Sequence, residues 1–257
     1  MIEIRGLQKS FGAKNVLKGV DLTIKTGETM CVIGRSGCGK SVLLKHIVGL
    51  LAPDEGTVFV DGKEVQRLRG RELFELRRGI GYVFQGAALF DSLTVWENVV
   101  LGLYEHGERR NEVLDGEARR VLAAVGLLPD IADSGSATFE KEYAILRDKK
   151  PSDLSGGMRK RVGVARALVG SPKYILYDEP TTGLDPITSE QIDNLILELS
   201  KKLSVTSIVI THDMFSVYKV AQSVAMLEQG MVRFFGTAEG LRTSNDEVVQ
   251  EFIERYE

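Results

Sequence analysis

GRSGCGKS, residues 34 to 41, stands between the apolar, β-rich run ETMCVI and the helical pattern VLLKHIVGLL. A strand that feeds a glycine loop, which then opens a helix, is the setting that the phosphate-loop pattern G-x-x-x-x-G-K-[ST] requires. Gly34, Gly37 and Gly39 let the backbone N–H groups of Arg35, Ser36 and Cys38 close around a β-phosphate. Lys40 is placed to neutralise the β and γ oxygens, and the Ser41 hydroxyl to ligate Mg²⁺. The expected cofactors are ATP and Mg²⁺. Because Cys38 precedes a helix start, its thiol is expected to be acidic and reactive.

Outward from this loop the same alternation recurs. YILYDE is followed by PITSEQIDNLILELSKKL, and SIVITHD by MFSVYKVA. Short β runs alternating with helical patterns predict a parallel sheet wrapped by helices. Ile192, Leu195, Ile196, Leu199 and Leu203 recur at helical spacing and predict one buried face. The opening segment differs: MIEIRGLQKSFG, VDLTI and TVFVDGK read as strands with no helix between the first two, which predicts an antiparallel sheet beside the parallel core. From about residue 88 to 165 the chain turns mostly helical (TVWENVVLGL, GEARRVLAAVGL), as an inserted lobe would. Near the end, Val248, Val249, Phe252, Ile253 and Tyr256 share one helix face, which something must cover.

Composition narrows the function class. The 257 residues are 43% hydrophobic and 27% charged, an ordinary globular balance. No apolar run reaches the ~18 residues of a membrane span, and the start MIEIRGL lacks a signal-peptide pattern, so the expected compartment is the cytosol. Cys31 and Cys38 make no disulfide framework. A net charge of −3 gives no global field for nucleic acid, and the basic clusters at 67–78 and 159–161 read as solvated helix faces.

A second chemical site ends the run YILYDEP. Neighbouring residues of a strand point to opposite sides, so Asp178 can hold Mg²⁺ through water while Glu179 orients or deprotonates an attacking water. His212, directly after SIVIT, falls at the same carboxyl edge of the sheet, where ligands bind in such folds. There is also a second cradle: LSGGM, residues 154 to 158, offers Ser155, Gly156 and Gly157 at a helix start, although no second nucleotide domain is present.

The ordered set GRSGCGKS, Gln85 after GYVF, LSGGM, YILYDEP, TGLD and His212 resembles the ATPase cassette of ABC transporters over essentially the whole chain. The resemblance implies an α/β, RecA-like phosphate-loop NTPase fold with an N-terminal antiparallel β subdomain and an inserted α-helical subdomain. It implies one domain over 1–257, with 1–87 and 166–237 as nucleotide-binding core, 88–165 as helical signature subdomain and 238–257 as C-terminal helical tail. It also accounts for the second cradle: in that family it completes the ATP site of a second copy, head to tail. Carried over residue by residue, Phe11 matches the aromatic that stacks on adenine, with a core phenylalanine as the plain alternative. Gln85 matches the contact to Mg²⁺ and attacking water. Asp185 matches a residue that crosses the dimer interface, though before Pro186 it is also a sufficient helix N-cap.

Finer features resemble the cassettes of Mla-type lipid transporters: SVLLKHIVGLLAPDEG, GAALFDSLTVWENV, LSGGMRKRVGVARAL (with Met158 where many cassettes have glutamine) and ILYDEPTTGLDP. The spacing of Met158 with Val162, Ala165 and Val169 suits packing on one helix face. The subgroup implies a cassette peripheral on the inner face of the cell membrane, driving a MlaE-like permease that moves phospholipid or another hydrophobic molecule, with an MCE-domain or other lipid-binding partner and no nucleic acid. Segment 131–150 looks longer than such cassettes usually have there. Leu89, Phe90, Leu93 and Trp96 are expected to receive the permease, with packing inside the helical lobe as the plain alternative. The alternatives are an importer ATPase for a small polar solute and a soluble ABC-type ATPase acting on nucleic acid or ribosomes, the latter without the tandem cassettes or coiled-coil insertions usual there. A phosphate-loop kinase would have no need of LSGGM.

Overall fold

The computed structural model describes residues 1 to 256. Its centre is a six-stranded sheet in the order β10-β9-β3-β8-β7-β6, built from β3 (Thr29–Ile33), β6 (Ile80–Val83), β7 (Tyr174–Asp178), β8 (Thr206–Ile210), β9 (Ser223–Glu228) and β10 (Met231–Gly236). Strands β9, β3, β8, β7 and β6 are parallel, and β10 closes one edge antiparallel to β9. Strands covered on both faces need apolar residues at every position, and this is why the runs look continuous rather than alternating. Cys31 and Ile33 point into one cluster while Met30 and Val32 point into another, and Ile175 and Tyr177 are opposed to Tyr174 and Leu176 in the same way.

One of those clusters is roofed by the expected antiparallel sheet. Its order is β2-β1-β4-β5, from β1 (Ile2–Phe11), β2 (Lys14–Ile24), β4 (Glu55–Val60) and β5 (Lys63–Glu64). Ile2, Ile4 and Leu7 of β1, with Val20, Leu22 and Ile24 of β2, point inward onto α1 (Lys40–Ile47) and the parallel sheet. The other face packs on helices: α3 (Val95–Glu105), α4 (Asn111–Ala124), α5 (Ala137–Arg147), α6 (Gly156–Leu168), α7 (Pro186–Leu203) and α8 (Met214–Val220). Helix α2 (Gly70–Arg78) buries none of its residues fully and touches the core only at its edge, through Leu76.

Particular expectations fared differently. Four of the five apolar residues of α7 are buried, but Leu203 is 42% exposed, because the helix ends there with Ser204 in a left-handed conformation. Met158 and Val169 pack beside buried Val162 and Ala165, as the spacing predicts. Helix α6 runs through position 165, where the sequence reading ends the helical lobe. Segment 131–150 forms α5, capped by Ser136 and buried through Phe139, Tyr143 and Leu146. After the short α9 (Ala238–Arg242), α10 (Glu247–Tyr256) seats Val249, Phe252 and Ile253 in the chain's own core, which is what covers its apolar face. Among the described residues no helix is long and apolar enough to cross a membrane.

Candidate active site

The loop between β3 and α1 is shaped by three glycines with positive φ, Gly34, Gly37 and Gly39. Two of them leave no space for a side chain: a Cβ on Gly34 would lie 2.2 Å from the Leu227 carbonyl oxygen, and one on Gly39 would lie 2.6 Å from Leu17 Cδ2. Lys40 is only 6% exposed, and its ammonium donates to the carbonyls of Gly34 at 2.6 Å and Arg35 at 3.2 Å, so the cation is held over the concave face of the loop. Arg35 donates to Glu251 of α10 at 2.8 Å. Ser36 and Gly37 are exposed at the rim.

Cys38 corrects an expectation. The thiol lies partly buried against the core under the antiparallel sheet, and burial pushes it above the ordinary thiol value. The Lys40 charge and backbone N–H groups pull the other way but do not prevail. Desolvation of a would-be thiolate outweighs the helix start.

The carboxyl end of β7 brings five of the candidate residues together. Ser41 Oγ donates to Asp178 Oδ1 at 2.9 Å, and Tyr82 OH to Asp178 Oδ2 at 3.1 Å. Glu179 turns away from Asp178 with φ of 50°, a left-handed conformation that costs a non-glycine residue about 1–3 kcal/mol and is stored most often at functional sites. Its Oε2 accepts from Gln85 Nε2 at 3.1 Å and Thr182 Oγ1 at 2.9 Å, while Oε1 lies 3.5 Å from His212 Nδ1. The contact of Gln85 is therefore with the glutamate. A hydroxyl and a carboxylate converging at 2.9 Å suit a hard cation that takes oxygen ligands and brings its own waters and phosphates. Among the described residues no group of three or more His, Cys, Asp or Glu side chains would hold a metal unaided.

The helical lobe reaches this centre through side chains that the sequence reading missed. Lys160 of α6, 6% exposed, donates to the Gln85 carbonyl oxygen, and burial lowers its pKa while Glu179 opposes that. Arg166 donates to the carbonyls of Ala87 and Ala88 at 2.7 Å, both in left-handed conformation. Nothing local marked Tyr82, Thr182 or Arg166 for these contacts, and Lys160 corrects an expectation: the basic cluster 159–161 reads as a solvated helix face, yet this lysine is buried.

The second cradle lies elsewhere. Ser155 caps α6 and its Oγ accepts from Met158 N at 3.2 Å. Asp185 caps α7, accepting from Thr188 N at 3.0 Å and from Thr188 Oγ1 at 2.6 Å. Ser155, Gly156, Gly157, Leu184, Asp185 and Thr188 line one cavity of about 490 Å³ to which none of residues 34 to 41 contributes. Phe11 is 48% exposed at the end of β1, with Lys9 Nζ 5.7 Å above its ring, which removes the core alternative for it. Of the apolar loop residues, Phe90 is 53% exposed, but Trp96 packs into the lobe under the Arg147 guanidinium. Leu89 also packs against the core and Leu93 is half-buried, so of the four residues expected to receive the permease only Phe90 is exposed.

A family model described as ABC transporter matches residues 17–182. "Probable ribonucleotide transport ATP-binding protein mkl" of Mycobacterium tuberculosis is 37% identical over 252 residues, 98% of this chain and 66% of that protein. The chain therefore spans a little under two thirds of mkl. Methionine import ATP-binding protein MetN of Carboxydothermus hydrogenoformans is 42% identical over 235 residues, 90% of this chain and 65% of its own length. The chloroplastic protein TRIGALACTOSYLDIACYLGLYCEROL 3 of Arabidopsis thaliana is 39% identical over 269 residues, 98% of this chain and 73% of that protein. Among solved structures, dimeric MJ0796 in a post-hydrolysis state with ADP and phosphate superposes with a TM-score of 0.79 at 33% identity, over 93% of this chain and 99% of the other.

Proposed function

The chain belongs to the ABC transporter family and hydrolyses ATP, and from that premise we propose that two copies, head to tail, sandwich two ATP molecules and drive a membrane permease. The observation that carries this is the separation of the two cradles. Residues 34 to 41 close on themselves, while Ser155, Gly156, Gly157 and Asp185 line a cavity without any of them. A helix start with an exposed serine and two glycines is an anion site, and a second copy supplies the γ-phosphate.

Within each site Glu179 takes a proton from the attacking water or orients it. The Gln85 amide and the Thr182 hydroxyl fix one of its oxygens, and His212 stands beside the other. Lys40 binds the β and γ oxygens, Phe11 stacks on the adenine, and Ser41 and Asp178, with Gln85, would hold Mg²⁺, which would supply neutralisation of phosphate charge. Lys160 and Arg166 hold the backbone of 85 to 88, so a change at the γ-phosphate moves the helical lobe and the permease with it. The chain works at the cytoplasmic face of the cell membrane.

For the cargo we infer phospholipid or another hydrophobic molecule, moved by a MlaE-like permease with an MCE-domain partner. The quoted motifs support this, and one relative carries a glycolipid in its name. The second reading, import of a polar solute, is favoured by the names of mkl and MetN. Purification of the assembled transporter in detergent, with mass spectrometry of its subunits and lipids, separates them. An MCE-domain subunit and enriched phospholipid are expected, whereas a soluble solute-binding subunit and no enriched lipid would overturn the lipid reading.

A further inference from the structure

Behind the turn that carries His212, one hydroxyl stands between two carboxyl groups. Ser216 Oγ lies 2.8 Å from Asp193 Oδ2 and 3.1 Å from Asp213 Oδ2. A serine hydroxyl has one proton to give. It can donate to one of these groups, and the other contact becomes a hydrogen bond only where a carboxyl brings a proton of its own.

The surroundings decide which carboxyl that is. Asp213 caps α8, accepting from Phe215 N at 2.9 Å and Ser216 N at 3.5 Å, which is the work of a carboxylate. Asp193, on α7, is 4% exposed, and its Oδ1 has no hydrogen-bond partner. An ionised carboxylate in that position is costly, and a neutral one much less so. We propose that Asp193 is a positioning residue of the ATPase site: its carboxyl proton goes to Ser216 Oγ, the Ser216 proton goes to Asp213, and this bridge fixes the turn from which His212 faces Glu179.

Asp213 and Lys219 face Asp193 from α8, Glu190 from its own helix and the Cys31 thiol from β3; His212 and Tyr256 line the same cavity. Burial foremost, with Asp213 and Glu190 adding to it against the Ser216 bond and Lys219, raises the Asp193 carboxyl to about 6. The bridge is complete below that pH and lacks a proton above it. His212 is then held more loosely as pH rises.

Asp193→Asn supplies a permanent N–H donor in place of the titrating O–H. The test is kcat and KM for ATP, wild type and variant, across mildly acid to mildly alkaline pH. Glu179 and His212 are common to both chains, so the ratio of the two kcat values isolates Asp193. The expected ratio is near one at acid pH and rises several-fold through neutrality with KM unchanged, and the rise disappears when Ser216→Ala is present in both chains. A flat ratio overturns the proposal. Should Asp193→Asn not fold, carboxyl-carbon NMR of the wild-type chain decides instead: titration of Asp193 near pH 6 supports the bridge, and titration in the ordinary carboxylate range overturns it.

Discussion

The two phosphate cradles of this chain share a chemistry and differ in completeness. At residues 34 to 41 the backbone is locked by close packing, Lys40 is bound to two loop carbonyls and Ser41 to Asp178. At residues 155 to 157 the serine is exposed, its cap bond to Met158 N is local, and a Cβ on Gly156 would meet nothing nearer than Leu184 Cδ2 at 3.5 Å. The first is finished within one chain. The second offers a serine and two glycines at a helix start with no lysine of its own, and under the function proposed above that difference is what the second copy makes good.

The largest effect should come from the finished region. Glu179→Gln keeps the hydrogen-bonding shape and removes the base, so kcat should fall about 10²–10⁴-fold while ATP binding survives. A gel-filtration shift to a dimer with ATP and Mg²⁺ should accompany the loss. Wild-type turnover in this variant would reduce Glu179 to a strained strand-end residue and remove the contrast between the two cradles.

Next in size is the link between the regions. Lys160 is buried with its ammonium on the Gln85 carbonyl, so Lys160→Met leaves that carbonyl without its donor. Gln85 itself is exposed, so water can reach that carbonyl and the cost is the net worth of one hydrogen bond, about 0.5–1.5 kcal/mol. A lower melting temperature and weakened coupling of ATPase to transport are expected; transport per ATP equal to wild type would show that the lobe is driven by another route.

Smaller effects sharpen the comparison at its edges. Ser155→Ala removes a helix cap and should cost about 1 kcal/mol of stability, yet should lower ATPase activity by more than the melting curve accounts for. Equal proportional losses would make Ser155 a cap alone. Cys38, with its thiol pushed up by burial, should react with iodoacetamide slowly at neutral pH and faster toward alkaline pH. Bound ATP should protect it; rapid alkylation at neutral pH would mean that the loop is open. Phe90→Ala should leave folding and basal ATPase unchanged and weaken copurification with the permease.

What could be read from the sequence follows the same division. Residues 34 to 41, 154 to 158 and 178 to 179 stand out in the sequence because the chemistry proposed for them, binding a phosphate or holding a water, fixes residue types at short spacing. The buried faces of α7 and α10 were legible through their period. The hairpin β9–β10 was not: β9 is buried on both sides and so shows no alternation, and its turn runs through Gln229 and Gly230, both with positive φ, without the Asn-Gly or Asp-Gly that usually marks it. Nor was the lock on Gln85, because Lys160 lies 75 residues along the chain and only the fold brings them together. Cys38 was misjudged because a helix start is visible in sequence while burial is not.

The most direct test of two incomplete cradles is complementation between copies. Lys40→Ala disables the first cradle, and Gly156→Asp places a negative charge in the second at a position where the packing leaves space. Each variant alone should be nearly inactive, having no intact site in its homodimer. A mixed dimer has one site with both lesions and one with neither. Equal mixing should therefore restore ATPase activity well above the sum of the separate preparations, up to about a quarter of wild type if the copies exchange freely and the sites act independently. Activity no greater than that sum, from chains shown to form mixed dimers, would contradict the account: each chain would then be using its own second cradle, or not using it for ATP.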